Sequence, residues 1–136
     1  MKPSSSTAKG RRFQRIVAAI LRERFDLPEA DCRPAVGSEN GCDIKLSAAA
    51  RLVFPFAVEC KKVEAINIWS ALAQAEANAT AEGLAPVLVF SRNRSKAYAV
   101  VPLSCFVDLV AEVYGGPEVE VGYAVAGGVP DEEAEA

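Results

Sequence analysis

The strongest constraint on the fold is an apolar run that ends in charged residues. Residues 52–57 read LVFPFA and lead directly into VECKK at residues 58–62. If this stretch is a β-strand, successive side chains point to opposite faces, so Glu59 and Lys61 share one face. A carboxylate and an ammonium group at the end of an apolar strand are costly to bury without a purpose. We therefore predict that this strand organises the sheet and carries a functional site.

A second short run, CDIKL at residues 42–46, places Asp43 sixteen positions before Glu59. We predict that the two runs form adjacent antiparallel strands in a hairpin-like arrangement. Mg²⁺ prefers a few carboxylates together with water and phosphate oxygens, so Asp43 and Glu59 are the predicted ligands of Mg²⁺ or Mn²⁺. The backbone carbonyl of Cys60 is a further predicted ligand, and Lys61 is predicted to orient the attacking water and stabilise developing charge. The alternative is that Glu59 and Lys61 form only a surface ion pair.

Composition indicates one domain with an uneven charge distribution. The chain has 136 residues, 51% of them hydrophobic, which suffices for a single core. We predict a disordered leader over residues 1–7, one folded domain over 8–126 and a disordered acidic tail over 127–136. The net charge is −3, yet residues 1–24 hold seven basic residues against one acidic residue, and residues 108–136 hold eight acidic and no basic residues. This asymmetry favours a nucleic-acid partner and an acidic tail.

Cysteine and histidine usage excludes several kinds of site. The chain has four cysteines, no C-x-x-C pair and no histidine. A zinc site is therefore not expected, and histidine-based catalysis is excluded. The cysteines fit buried thiols in a reducing, cytoplasmic compartment, and a reactive thiol is the weaker alternative because no histidine is available to activate it. No run reaches the ~18 apolar residues of a membrane span, so we expect no membrane association.

Hydrophobic periodicity predicts the remaining elements. The first helix is expected over residues 8–25, a loop over 29–41, and a second helix over 67–82 that ends at Gly83. Strands are expected over residues 85–90, 97–103 and 118–125, with a third helix over 104–114. Trp69 is expected to pack rather than to stack on bases. The predicted buried residues of the first and third helices are Phe13, Ile16, Val17, Ile20, Leu21, Phe106, Val107, Val110 and Tyr114.

Basic residues are concentrated on the first helix and in the turn at residues 91–96. They are typical either of a solvated surface or of contacts to phosphates, and a nearby metal site favours the phosphate contacts. The predicted DNA-binding residues are Lys9, Arg11, Arg12, Arg15, Ser38, Lys62, Arg92, Arg94 and Lys96.

Four short motifs together resemble a known superfamily. They are Lys9-Gly10 at the start of the first helix, Gly37-Ser38 before Asp43, the VECK sequence at 58–61, and PVLVF at 86–90. Over residues 8–105 the chain resembles the PD-(D/E)XK nucleases, and among them the archaeal and phage type of Holliday junction resolvase. The resemblance implies an α/β fold with a restriction-endonuclease-like core, in which helices flank a central mixed sheet of four to five strands in α-β-β-β-α-β order.

The resemblance also implies functional roles. Asp43 and Glu59 match the metal ligands, Lys61 matches the catalytic lysine, and Gln14 stands where such resolvases have a glutamate. Gln74 is implied as a residue that supports the site from the second helix. A homodimer that cleaves branched DNA, of prokaryotic or phage type, is the expected assembly. The alternatives are a restriction-like or nicking nuclease and, because of Gln14, a non-catalytic DNA-binding member of the fold.

Overall fold

The computed structural model describes residues 5–37 and 39–115 and gives the following elements. The helices are α1 (Ser5–Phe25), α2 (Ala48–Val53), α3 (Ile68–Glu82) and α4 (Leu103–Tyr114). The strands are β1 (Cys32–Pro34), β2 (Ile44–Leu46), β3 (Phe56–Lys62), β4 (Ala85–Ser91) and β5 (Tyr98–Val100), and a 3₁₀ turn at Glu29–Asp31 precedes β1.

The strands form a mixed α/β arrangement in two parts. β3 pairs with β4 in parallel, with Glu59 opposite Leu88, and β4 pairs with β5 in antiparallel orientation. β1 and β2 form a separate antiparallel pair. The α/β fold class is confirmed, but the five strands are divided into sheets of three and two instead of one central sheet.

Helices cover both faces of β3. Phe13 and Val17 of α1 belong to one buried cluster with Val58, whereas Ala57 on the opposite face packs in a second cluster with Ala79 of α3. The first five residues of β3 are all buried, as is usual for a parallel strand with helices on both sides. Because side chains alternate, Glu59 lies on the face toward α3.

The chain between Asp43 and β3 differs from the predicted hairpin. Residues 48–53 form α2, whose first turn is capped by Ser47, with the Ala50 N–H donating to Oγ at 3.1 Å. β2 takes β1 as its ladder partner, and Asp43 lies just before β2. The predicted loop over 29–41 is also wrong in part, because it contains the 3₁₀ turn and β1.

The buried stripe of α1 is narrower than the periodicity predicts. Phe13 and Val17 are buried and Leu21 packs against the same cluster, as expected. Ile16 and Ile20 are about half exposed, so their predicted burial is wrong. Ala18 is fully buried in their place, because α1 meets the sheet along the 13–17–18–21 side of the helix.

The bounds of α3 are confirmed, but the environment of its tryptophan is not. Asn67 caps the first turn by accepting from the Ser70 N–H, and Gly83 ends the helix in a left-handed conformation with φ 66°. Ala71, Ala75 and Ala79 are buried against the sheet. Trp69 is 79% exposed, so the prediction that it packs into this fold is wrong.

Helix α4 lies where the sequence predicts it, but it presents another face to the core. Cys105 is buried and Leu109, one turn later, packs against the main cluster. The four residues predicted to face inward are exposed, and the correction applies to Phe106, Val107, Val110 and Tyr114. Leu103 and Val113 are exposed as well, so most of the apolar side chains of this helix face outward.

Several expectations concern residues outside the described ranges. The leader prediction covers residues 1–7, of which 5–7 belong to α1, so the helix begins three residues earlier than expected. Residues 1–4, Ser38, the predicted strand over 118–125 and the predicted tail over 127–136 lie outside the description. No helix within residues 5–37 and 39–115 is both long and apolar enough to cross a membrane.

Candidate active site

Asp43 is tied to the edge of β3 that faces away from β4. Its N–H donates to the Val58 carbonyl at 3.0 Å, and its carboxylate Oδ2 accepts from the Cys60 N–H at 2.7 Å. Hydrogen bonds to an ionised acceptor are about twice as strong as neutral ones. These two contacts hold Asp43 beside Glu59 although β2 and β3 share no ladder in the described structure.

The backbone of Cys60 faces the same edge. In a strand, the N–H and C=O groups of one residue point to the same side, and alternate residues repeat that direction. Because the Cys60 N–H reaches Asp43, the Cys60 carbonyl also points to the Asp43 side. This direction is compatible with the prediction that the Cys60 carbonyl oxygen binds a metal ion.

Glu59 is a buried carboxylate with a neighbouring carboxylate. Its side chain is 2% exposed, and its Oε2 accepts from Asn78 Nδ2 at 3.1 Å. Burial and, to a lesser degree, the charge of Asp43 together raise the pKa of Glu59 to about 7, against the opposing effects of Lys61 and Asn78. In the absence of a cation, the site therefore favours the protonated form of Glu59.

Lys61 lies on the same face as Glu59, as the strand alternation predicts. Its Nζ is 3.9 Å from Glu59 Oε1, and about one third of its side chain is exposed. A surface ion pair does not describe this contact, because the Glu59 side chain is buried. The ammonium group therefore lies between a buried carboxylate and solvent, where it can meet a bound substrate.

Gln14 and Asp43 line one groove. The groove has a volume of about 800 Å³ and runs between the first turns of α1 and the β1–β2 connection. Arg11 and Arg15 also line it, so two of the predicted phosphate contacts lie beside the carboxylate. The opposite wall is fixed by an ion pair at 2.8 Å, in which the Arg33 guanidinium lowers the pKa of Glu39 to about 2.

The other predicted DNA contacts lie on a neighbouring flank of α1. Lys9, Lys62 and Arg92 line a groove of about 370 Å³, and Lys62 Nζ is held 3.2 Å from the Arg92 carbonyl and 5.8 Å from the Phe13 ring centroid. Arg92 also lines an adjoining polar groove with Arg94 and Lys96. Arg12 is exposed on α1 without lining these grooves.

Asn78 was not singled out as a site residue by the sequence, which pointed to Gln74 one turn earlier. Gln74 is exposed, and Asn78 makes the contact with Glu59 instead. The sequence feature that could have indicated Asn78 is the row of uncharged polar residues on α3, because a neutral amide can donate a hydrogen bond to a buried carboxylate.

The cysteines do not contribute reactive groups. All four are buried and unpaired, as predicted, and burial raises the pKa of each thiol. A buried thiol with a raised pKa is a poor nucleophile. The alternative of a reactive cysteine is therefore not supported.

The donor set at Asp43 and Glu59 fits a small divalent ion. Within residues 5–37 and 39–115, no cluster of three or more Asp, Glu, Cys or His side chains could hold a metal ion. Mg²⁺, however, is usually bound by one or two carboxylates and keeps several waters or phosphate oxygens. Two adjacent carboxylates, one of them buried, create the negative charge that such an ion would compensate.

Comparison with known proteins agrees with this geometry. Residues 5–116 match the family model "Phage putative PDDEXK endonuclease". The chain belongs to this family. It is thus a nuclease of the PD-(D/E)XK type, a group that generally uses divalent metal ions. No curated protein and no solved structure matches the chain.

The raised pKa of Glu59 predicts a pH-dependent stability of the metal-free nuclease. Folding raises the pKa from 4.5 to about 7, so the folded state favours protonated Glu59 and loses stability as pH rises from about 4.5 to 7. Glu59→Gln removes this titration, and we expect it to gain on the order of 2 kcal/mol over wild type between pH 5 and pH 8. Urea unfolding in EDTA at several pH values measures the difference, and parallel pH profiles of the two proteins would contradict it.

Proposed function

We propose that this nuclease is a Mg²⁺- or Mn²⁺-dependent endodeoxyribonuclease that hydrolyses phosphodiester bonds in branched DNA. The observation that carries the proposal is the fixed pair of carboxylates, with Asp43 anchored to the Cys60 N–H and Glu59 buried beside it. If Glu59 and Lys61 formed only a structural ion pair, neither the second carboxylate of Asp43 nor the burial of Glu59 would be needed. A metal-assisted hydrolase needs both carboxylates in one place.

Each residue of the site has a distinct role in this proposal. Asp43, Glu59 and the Cys60 carbonyl hold the metal ion. When bound, the ion neutralises charge on the phosphate and lowers the pKa of a coordinated water. Lys61, with its ammonium group 3.9 Å from Glu59, orients the attacking water and stabilises the negative charge that develops on the phosphate.

The basic grooves support a DNA path across the start of α1. Arg11 and Arg15 contact phosphates next to the scissile bond, while Lys9, Lys62 and Arg92 hold a strand on the neighbouring flank. Two separate grooves that share α1 suit strands that diverge at a branch point. The resemblance of the motifs at 9–10, 37–38 and 58–61 to junction resolvases supports the same substrate.

Asp43→Asn is expected to abolish cleavage and to spare DNA binding. The asparagine Oδ1 can still accept from the Cys60 N–H, so the local structure is preserved while one metal-binding charge is lost. We expect a loss of at least about 100-fold in cleavage rate, with affinity for DNA within about threefold. The assay compares a labelled four-way junction with a linear duplex of the same sequence, in Mg²⁺ and in EDTA.

The matched control is Asp26→Asn, an exposed acid at the end of α1 in a left-handed conformation that asparagine tolerates. Full activity of Asp43→Asn would refute the metal site. Cleavage of both substrates by wild type would leave a nuclease with a broader substrate range. Metal-independent binding without any cleavage would identify a non-catalytic member of the fold, with Gln14 as the critical difference from active resolvases.

Replacing Arg11 or Arg15 with alanine is expected to weaken binding by removing a phosphate contact. Each variant should lower the slope of log affinity against log salt concentration by about one unit, without changing the preference between DNA shapes. Arg24→Ala is the control, because Arg24 is exposed in the last turn of the same helix, far from the groove. Fluorescence anisotropy with labelled junction at several salt concentrations tests this, and equal slopes for Arg11→Ala and Arg24→Ala would argue against the assigned path.

A homodimer is the assembly that we propose for paired cleavage. An apolar groove of about 370 Å³ lies between α3 and β5, lined by Trp69, Leu72, Val100 and Pro102. Trp69 is 79% exposed beside it, and Tyr98 of β5 is also half exposed. Buried tryptophans frequently dominate the energy of protein interfaces, so this surface is the proposed contact between copies.

Trp69→Ser is expected to convert the dimer to monomers, because it removes the largest apolar side chain of the proposed contact. Analytical ultracentrifugation gives the molecular mass, with Leu52→Ser as the control, since Leu52 is 86% exposed on α2. Trp69 is the single tryptophan of the chain, so its emission should shift to the blue as wild-type concentration rises. A wild-type protein that stays monomeric, with constant emission, would contradict the dimer.

A further inference from the structure

Helix α3 presents a row of uncharged polar residues, of which one reaches the active site. The row consists of Asn67, Ser70, Gln74 and Asn78. The first three are exposed, and only Asn78 is partly buried. Asn67 caps the first turn of the helix. Asn78 has a different role, because its amide contacts Glu59.

Asn78 is placed over Glu59 by close packing of α3 on β3. Ala75 and Ala79 on either side of it are each 1% exposed, and Ala79 packs against Ala57, the neighbour of Glu59 on the same face. Alanines at these positions let the helix approach the strand closely. The short asparagine side chain therefore spans the remaining gap, and its Nδ2 lies 3.1 Å from Glu59 Oε2.

The Glu59 carboxylate has different partners at its two oxygens. Oε2 accepts from Asn78, whereas Oε1 lies 3.9 Å from Lys61 Nζ, which is too far for a hydrogen bond. The amide thus holds Oε2, Oε1 lies toward Lys61, and the Asp43 carboxylate is within hydrogen-bonding reach of the Glu59 side chain. An amide donor also adds no positive charge, so the negative charge of the carboxylate pair is retained for a cation.

We infer that Asn78 is a positioning residue that holds the Glu59 carboxylate through Oε2 in the orientation in which Glu59 would bind a divalent ion. This inference rests on the proposed metal-dependent function. Groups that hydrogen-bond a metal-binding side chain commonly raise metal affinity by 10–100-fold. Asn78 acts through Glu59 and does not itself touch the ion or the DNA.

The test measures Mn²⁺ binding to the full chain by isothermal titration calorimetry, independently of cleavage. Asn78→Leu keeps the branching at Cγ and removes the donor, and we expect it to weaken Mn²⁺ binding about tenfold. Asn78→Gln keeps an amide donor and should remain within about threefold of wild type. Ser70→Leu, an exposed position two turns earlier on the same row, is the control and should bind as wild type does.

Circular dichroism and urea unfolding confirm that each variant is folded, and Asn78→Ala replaces the leucine variant if leucine does not fit. Equal Mn²⁺ affinity of wild type and the variants without a donor would overturn the role of Asn78 while leaving the metal site intact. Absence of Mn²⁺ binding in wild type would overturn the proposed function and this inference together. A loss in Asn78→Leu that Asn78→Gln restores is the expected result.

Discussion

The hydrogen bonds of Asp43 to the edge of β3 are the contacts on which the active site depends. β1 and β2 form their own pair, so β3 would end its sheet at an open edge beside them. The Asp43 N–H and carboxylate join that edge at Val58 and Cys60 instead. One residue thereby connects the two sheets and places a charged group beside Glu59, so the same contact serves the fold and the chemistry.

The burial of Glu59 has a cost that the surroundings only partly offset. An ionised carboxylate at 2% exposure needs hydrogen bonds or a counter-charge, and it has the Asn78 amide and a lysine at 3.9 Å. The neighbouring Asp43 increases the cost. Incompletely compensated buried charge is typical of functional sites. A site whose charges and hydrogen bonds are all compensated without a ligand gains little free energy from binding one.

Sequence reasoning works here where the pattern is local and fails where partners are distant. The alternation along β3 and the ends of α3 at Asn67 and Gly83 follow from side-chain direction and capping, which neighbouring residues determine. The exposure of Phe106 depends on what lies opposite α4, and an apolar pattern cannot distinguish a core face from an outer one. The role of Asn78 also depends on a distant partner, because it follows from the contact of its side chain with Glu59, 19 residues earlier in the chain.

The uncharged side chain of Gln14 bears on the number of ions that the proposed metal site could hold. Gln14 lines the Asp43 groove without adding charge, so once a cation has displaced the proton of Glu59 the proposed site has two ionised carboxylates and one nearby ammonium group. One divalent ion would turn this net charge of about −1 into about +1, which suits a phosphodiester group carrying a single negative charge. A second ion would leave an excess of positive charge with few protein oxygens to hold it. For the proposed metal site, the charge balance of Asp43, Glu59 and Lys61 therefore favours one ion held by the two carboxylates, to which Gln14 would add only hydrogen bonds to water or to the DNA backbone.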